Sequence, residues 1–465
     1  MRILLIQPLY ENNFPNPPLG LGYIASALEE EGHNVQLIDL TNKPLSDYEF
    51  ERAVQEVKPE LVGISLMCRA LPNVAKIVAS LKRIYDIPVV LGGPQVTVMP
   101  SFTLRQTKAD FAVVGEGENT VRELVHHIEK GEGDRADIDG LAFVDNDKVR
   151  VNAPRRLIQD LDLIPFPAWH LMPPKEYDLA PVLTPVEKYP VGVIITTRGC
   201  PYECNYCAAP KVWGRTFRRR SPQNVVDEIE LLVDDYGVKE LFLSDDNFTL
   251  VRKHATDICG ELMQRRIDVS WACPNGVRID RVDRELLRTM RKAGCHLLGF
   301  GIESGSQRVL DRAKKHLDLG LVRKVVRMAK EEGITTYGFF ILGLLGETTQ
   351  TIRETIDFAK SLPLDRAWFN ILEPYPGTEV FEKFAEAVPP GEIDWSGING
   401  ATGMIAKGIG YANLSAEDLV HLQRKAVREF YLRPRIAIGV IRSMNFRGIK
   451  TMTRLTFFKR LLGIE

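Results

Sequence analysis

The sequence predicts an α/β protein built as two strand-and-helix bodies in series, followed by a tail that is mainly helical and basic. Three observations carry this. Short runs rich in Val, Ile and Leu alternate with helix-like stretches from the N-terminus onward, which is the pattern of parallel strands covered by helices. The alternation breaks at a Pro-rich stretch, DLDLIPFPAWHLMPP, and resumes at Val191. Beyond residue 385 the strand-like runs stop and basic residues accumulate. A chain of 465 residues has room for two or three domains, each with its own core.

The first body opens with RILLIQPLY, Arg2 to Tyr10, as a buried strand. LGLGYIASALEEEG, Leu19 to Gly32, follows as a helix stopped by glycine. Further strands are expected at Asn34 to Leu40, Glu60 to Met67, Ile87 to Gly93 and Phe111 to Glu118, with helices at Asn73 to Tyr85 and Thr120 to Lys130. This order predicts a doubly wound parallel sheet whose ligands collect at the carboxyl ends of the strands. Those ends carry Pro17-Pro18-Leu19-Gly20, Gly92-Gly93-Pro94 and Gly115-Glu116-Gly117. Glycine lets a ligand approach the backbone, and helix N-termini offer free N–H groups. By pattern alone each cluster is also consistent with a simple turn.

Residues 136–190 form a bridge. LAFVDNDKVRV, Leu141 to Val151, reads as a hairpin turning at Asp145-Asn146-Asp147. The Pro-rich stretch after it is expected to lie extended, with Trp169 and His170 as packing residues. From Val191 to about Phe384 six strands recur: VGVIITT, KELFLSDD, VSWACPNG, HLLGFGIE, TTYGFFILG and AWFNILEP. Directly after the first lies TTRGCPYECNYCAAP, with Cys200, Cys204 and Cys207 spaced C-x3-C-x2-C. Thiolates favour zinc, copper(I) or iron–sulfur centres. Zinc would want a fourth ligand at short spacing, and none follows. Three ligands instead leave one iron of a 4Fe-4S cluster open.

This spacing, with Tyr206 before the last Cys and a strand in front, resembles the signature of the radical S-adenosylmethionine (SAM) superfamily. The resemblance implies a partial (β/α)6 TIM-type barrel over residues 191–385. It implies a 4Fe-4S cluster on Cys200, Cys204 and Cys207, with SAM on the fourth iron. It also assigns strand-end contacts to SAM: Asp245, Asp246 and Asn247 for the amino group, Arg278 for the carboxylate, and Glu303 and Ser304 for ribose and methionine. Phe340, Gly343, Leu372 and Tyr375 fall in the segments beside adenine. Over residues 1–135, PPLGLGYIASALEEEGHNVQLID, the GGP after the fourth strand and VVGEGE after the fifth resemble the Rossmann-like cobalamin-binding domain that precedes many radical SAM cores. Contacts implied there are Pro18, Leu19, Gly20, Ser65, Gly92, Gly93, Pro94, Gly115, Glu116 and Gly117. No D-x-H-x-x-G occurs, so no His is marked as a lower ligand of cobalt; the loop from Ser65 to Arg69 is the candidate for that face.

The implied activity is reductive cleavage of SAM to a 5'-deoxyadenosyl radical, hydrogen abstraction from an unactivated carbon, and methyl transfer from methylcobalamin. A ring-forming oxidative cyclase would share nearly every motif. A methylthiotransferase would carry further cysteines in its first domain, where only Cys68 occurs, and a non-enzymatic carrier would not need the strand-end motifs. The expected partners are a small-molecule or lipid substrate and a flavodoxin- or ferredoxin-type reductant. A net charge of -1 gives no pull toward nucleic acid. Seven Cys without a disulfide pattern, no leader-like segment and no long apolar run predict a cytoplasmic protein. Residues 386–465 end in a stretch where Arg and Lys alternate with Ile, Leu and Phe, suited to peripheral contact with the inner face of a membrane.

Overall fold

The computed structural model describes residues 1–9, 16–177, 186–397 and 414–443. The chain divides into two compact units.

The first unit comprises Met1–Tyr177 with Ala208–Arg218 and a short piece around Trp395. Its sheet contains β1 (Arg2–Gln7), β2 (Asn34–Asp39), β3 (Leu61–Ser65), β4 (Val89–Gly92), β5 (Phe111–Val113), β6 (Leu141–Asp145) and β7 (Lys148–Val151), in the order β2-β1-β3-β4-β5-β6-β7. The first five strands are parallel, with Ile3 opposite Val35 on one side of β1 and Leu61 on the other. The order reverses between β1 and β3, which places the switch point at their carboxyl ends. The expected hairpin joins this sheet as two antiparallel edge strands, Phe111 pairing with Phe143. Its two-residue turn has Asn146 at φ 46° and Asp147 at φ 62°, the left-handed pair that matches strand twist.

Two helices, α1 (Leu19–Glu29) and Glu118–Lys130, bury Leu28, Val121 and Leu124 against Ile3 and Leu5 of the sheet. The Pro-rich stretch forms short 3-10 turns as well as extended backbone. It packs on α1, with the amide of Ala168 donating to the Gly22 carbonyl at 3.0 Å and Trp169 only 2% exposed. A Cβ at Gly22 would lie 2.2 Å from Cε of Met172 and 3.0 Å from Cβ of Pro167, so a larger residue here would push the Met172 side chain aside. His170 meets Glu29 at the surface.

The second unit holds six parallel strands that neighbour one another in chain order. They are β8 (Val191–Ile194), β9 (Glu240–Leu243), β10 (Ser270–Val277), β11 (Cys295–Glu303), β12 (Thr335–Leu342) and β13 (Arg366–Ile371). Intervening helices start at side-chain caps, among them Ser221, Asp283, Asp318 and Thr348, each accepting from an amide three residues on. The sheet is an open (β/α)6 barrel. Its last strand is covered by the helix Ala416–Tyr431. The Tyr431 hydroxyl donates to the Ala367 carbonyl at 2.7 Å, Gln423 Nε2 donates to the Phe369 carbonyl at 2.7 Å, and the Phe430 ring meets Phe369 edge-on. This helix therefore uses its apolar face to close a sheet edge. Of the basic tail, Met444 to Glu465 lies outside the described residues. No helix among the described residues is long and apolar enough to cross a membrane.

Candidate active site

In the second unit the residues singled out from sequence all fall at one edge. Thr196 follows β8, Asp245 follows β9, Arg278 follows β10, Glu303 ends β11, and Gly343 and Leu372 follow β12 and β13. A parallel sheet dictates this, because every strand points the same way and every carboxyl end opens on the same rim.

The cysteine loop leaves β8 and carries Cys200, Cys204 and Cys207, none of them in a disulfide and all half-buried. Burial pushes the Cys200 thiol up, offset in part by a hydrogen bond from the Tyr202 backbone. Metal binding would therefore release protons here. Among the described residues no three His, Cys, Asp or Glu side chains converge as a single ion requires. Three separated thiols on one short loop instead suit a multi-iron cluster, each sulfur meeting its own iron. Tyr206, beside Cys204 and Glu303, has its hydroxyl pushed well above the usual range by burial and then by the Glu303 charge.

Glu303 is a non-glycine residue at φ 68°, a strained backbone held by the surroundings. Its carboxylate takes a hydrogen bond from Lys315 Nζ at 2.8 Å, and both side chains are about nine-tenths buried. Burial alone would lower the Lys315 ammonium, but the Glu303 and Cys204 charges outweigh it and hold it above the ordinary lysine range. A Cβ at Gly301 would stand 2.9 Å from the Glu303 carboxylate and 3.1 Å from Lys315 Nζ, so glycine there makes room for the pair. Sequence reasoning missed Lys315. It lies twelve residues past Glu303, inside a Lys-Lys pair that reads as surface, and only the fold shows it to be buried.

The strand-end acids divide by role. Asp245 is buried, and one carboxylate oxygen accepts from Thr196 N at 3.0 Å and from the hydroxyls of Thr196 and Thr197. Burial pushes its carboxyl up to about 6 against these bonds. Asp246 is exposed, with its charge acting on Cys200. Asn247 is 1% exposed, and its side-chain O and N have no hydrogen-bond partner among the described residues. Ser304 is turned into the protein, its hydroxyl 3.0 Å from that of Thr355. Phe340 stacks on Phe369 with ring centroids 5.2 Å apart, while the Tyr375 hydroxyl donates to Glu373.

Glu347, in the segment after Gly343, is fully buried. One oxygen accepts from the amides of Gly343 at 2.6 Å and Leu344 at 3.0 Å, and the other has no hydrogen-bond partner among the described residues. Burial pushes this carboxyl from 4.5 up to about 8. A folded-state pKa raised above the unfolded one contributes stability that is complete below about pH 4.5 and lost as pH rises through 8. Between pH 6 and 9 the wild type is therefore expected to lose stability relative to Glu347→Gln, whose side chain cannot ionise. Denaturant midpoints at the two pH values check this.

In the first unit, Pro18, Leu19, Gly20 and Ser65 line a cavity of about 270 Å³ at the switch point, together with Gln7, Thr41 and Met67. The volume suits one appendage of a large cofactor. Among the described residues a Cβ added at Gly20, Gly92 or Gly115 would meet no atom within 4 Å, which leaves these backbones open to the approach of a macrocycle. The residues present thus fit a corrinoid. Gly93 has φ 102°, and a Cβ there would lie 3.1 Å from the Leu66 backbone, between Ser65 and Met67. Gly93→Ala is expected to cost about 1–3 kcal/mol and to reduce hydroxocobalamin uptake, measured by absorbance after gel filtration. Glu116 faces the other way: both its oxygens accept from Arg218 Nη1 at 2.8 Å, and one also accepts from Ile158 N at 2.9 Å.

A three-thiol loop at the carboxyl rim of an open (β/α)6 barrel, on a chain that also carries a switch-point domain, defines an iron–sulfur enzyme with a second cofactor domain. The Radical SAM superfamily matches residues 194–359, and the B12 binding domain matches residues 12–125. An uncharacterized methyltransferase of Pyrococcus horikoshii is 35% identical over 94% of both chains. The chain belongs to the cobalamin-binding radical SAM family, whose two domains bind a 4Fe-4S cluster with SAM and cobalamin. Cytidylyl-2-hydroxyethylphosphonate methyltransferase of Streptomyces wedmorensis is 30% identical, covering 84% of this chain and 83% of that one. The anaerobic magnesium-protoporphyrin IX monomethyl ester cyclase of Rubrivivax gelatinosus is 31% identical, covering 83% and 71%. The radical SAM methyltransferase TsrM of Kitasatospora setae, solved with tryptophan and a SAM analogue, shares the fold with a TM-score of 0.71 at 23% identity over 83% of this chain and 76% of that one.

Proposed function

We propose that this enzyme transfers a methyl group to an unactivated carbon of a small-molecule or lipid substrate. The observation that favours methyl transfer over ring formation is coverage. A relative covered to 94% of its length and another covered to 83% are named methyltransferases, whereas the cyclases are covered to 68–73% of theirs. When bound, the cofactors of this family supply a 5'-deoxyadenosyl radical from SAM and a transferable methyl group from cobalamin. The chain's own residues bind, orient and exclude water.

Cys200, Cys204 and Cys207 hold the cluster. Asp246 and Asn247 receive the SAM amino group, the first by charge and the second through its unpartnered buried amide. Lys315 meets the carboxylate, since among the described residues its ammonium donates to Glu303 alone and keeps donors for a ligand. Glu303 faces the ribose, with the segments of Phe340, Gly343, Leu372 and Tyr375 beside adenine. Gly20, Gly92, Gly93 and Gly115 bring the backbone up to the corrin, and Ser65 and Met67 lie beneath it. Within the two units, residues 1–135 are assigned to cobalamin and residues 191–385 to the cluster and SAM.

Reducing equivalents come from a flavodoxin- or ferredoxin-type protein in the cytoplasm. The basic tail, where Leu432 is 67% and Ile438 is 49% exposed beside Arg433 and Arg435, makes peripheral membrane contact. The test of the reaction is product analysis. Anaerobic enzyme loaded with hydroxocobalamin should form S-adenosylhomocysteine and 5'-deoxyadenosine together on a methylated product. Deoxyadenosine with a cyclised product and no S-adenosylhomocysteine would favour the cyclase.

A further inference from the structure

Arg278 is held through its Nε, its Nη2 and the face of its guanidinium. Its guanidinium lies over the ring of Tyr202, 3.5 Å from carbon to centroid. Nε donates to Asp280 Oδ1 at 2.9 Å, and Nη2 donates to the carbonyls of Lys315 at 3.1 Å and His316 at 3.3 Å. The Tyr202 hydroxyl accepts from Arg281 Nε at 3.2 Å. Tyr202 stands between Cys200 and Cys204. The loop that presents the thiols is thus held on the tyrosine face by one guanidinium and at its edge by another, and the first is anchored to the segment that carries Lys315.

We propose that Arg278 is a positioning residue that grips the cysteine loop through Tyr202 and raises the reduction potential of the cluster on that loop, and that it does not bind the SAM carboxylate. The proposal rests on the cluster reading above. Arginine stays charged at any working pH. At 8% exposure its field is weakly screened, and a fixed cation beside a centre that gains an electron favours the reduced form. Its charge acts on the Cys200 and Cys204 sulfurs. The stack and the charge are separable. Leucine at position 202 removes the ring and leaves the guanidinium on Asp280 and the carbonyls; methionine at 278 removes both.

The full-length protein and the variants Arg278→Met, Arg278→Lys and Tyr202→Leu are reconstituted anaerobically. Iron and sulfide are counted, and one-electron reduction is titrated with mediators and followed by EPR. Arg278→Met is expected to take up wild-type iron on reconstitution, to lose it to a chelator at least tenfold faster as Tyr202→Leu does, and, at a fixed poise, to show at least a tenfold lower ratio of reduced to oxidised cluster, 59 mV for one electron. Arg278→Lys should recover most of that ratio, and SAM affinity should change less than threefold in either. Tyr202→Leu should keep the potential yet lose iron to a chelator at least tenfold faster. An unchanged potential in Arg278→Met, with SAM affinity reduced more than tenfold, would overturn the proposal and assign the guanidinium to the carboxylate. Should Arg278→Met assemble no cluster, Tyr202→Leu decides: wild-type resistance to the chelator overturns the grip. A wild-type chain that holds no cluster at all overturns the cluster reading and the proposal with it.

Discussion

Cys204→Ala is expected to bring 5'-deoxyadenosine formation below detection and to weaken cluster retention by more than the roughly 10–100-fold that loss of an outer-shell partner costs. The reason is local. Cys204 is the middle thiol of the loop, its carbonyl accepts from the Cys207 amide at 3.1 Å, and its charge acts on Tyr206 and Lys315. Two thiols cannot hold a cubane at three corners, and alanine offers no lone pair. Cys259→Ala is the control. That thiol is fully buried in the second unit and pushed up to about 12 by burial, so it is inert toward metal, and its loss should leave deoxyadenosine formation intact. Iron content and product mass spectrometry on the two variants check both statements. Cleavage persisting in Cys204→Ala would remove this thiol from the site.

Lys315→Met is expected to destabilise the protein by about 3–5 kcal/mol, because it strands the Glu303 carboxylate in a site made for an ion pair. Leaving one buried partner alone costs far more than removing both. The double variant Lys315→Met/Glu303→Gln should therefore recover most of the denaturant midpoint lost by the single one. SAM affinity should not recover with it, since the double variant also lacks the ammonium that meets the carboxylate. A double variant with wild-type SAM affinity would confine the pair to a structural role.

Much of this was legible because parallel sheets write themselves plainly. Ile3 to Ile6, Val191 to Ile194 and Leu297 to Phe300 are apolar without a break, being buried on both faces. The thiol spacing and the glycines at the strand ends follow from chain-local chemistry, so sequence order carries them. The helix Asp47–Val57 was passed over for a physical reason: only Phe50 and Val54 are buried, so its apolar stripe is thin. Its Ser46-Asp47-Tyr48-Glu49 capping box was the available signal. The hairpin's turn was legible, but its partner strand was not, because register with Phe111 is a long-range choice. Lys315, the Arg278 stack on Tyr202 and the Arg218 pairing of Glu116 are likewise products of packing. Trp395, which lies 5.6 Å from the Phe102 ring in the first unit, is separated from it by nearly three hundred residues and by no motif at all.

The central claim is that three thiols hold a cluster with one iron open to SAM. Low-temperature EPR of anaerobically reconstituted, reduced protein, recorded before and after SAM is added, tests it most directly. The account predicts a paramagnetic 4Fe-4S signal whose g-values move on addition of SAM in the wild type. A cluster signal that SAM leaves unchanged would mean that the fourth iron is already occupied by the protein, and would contradict it.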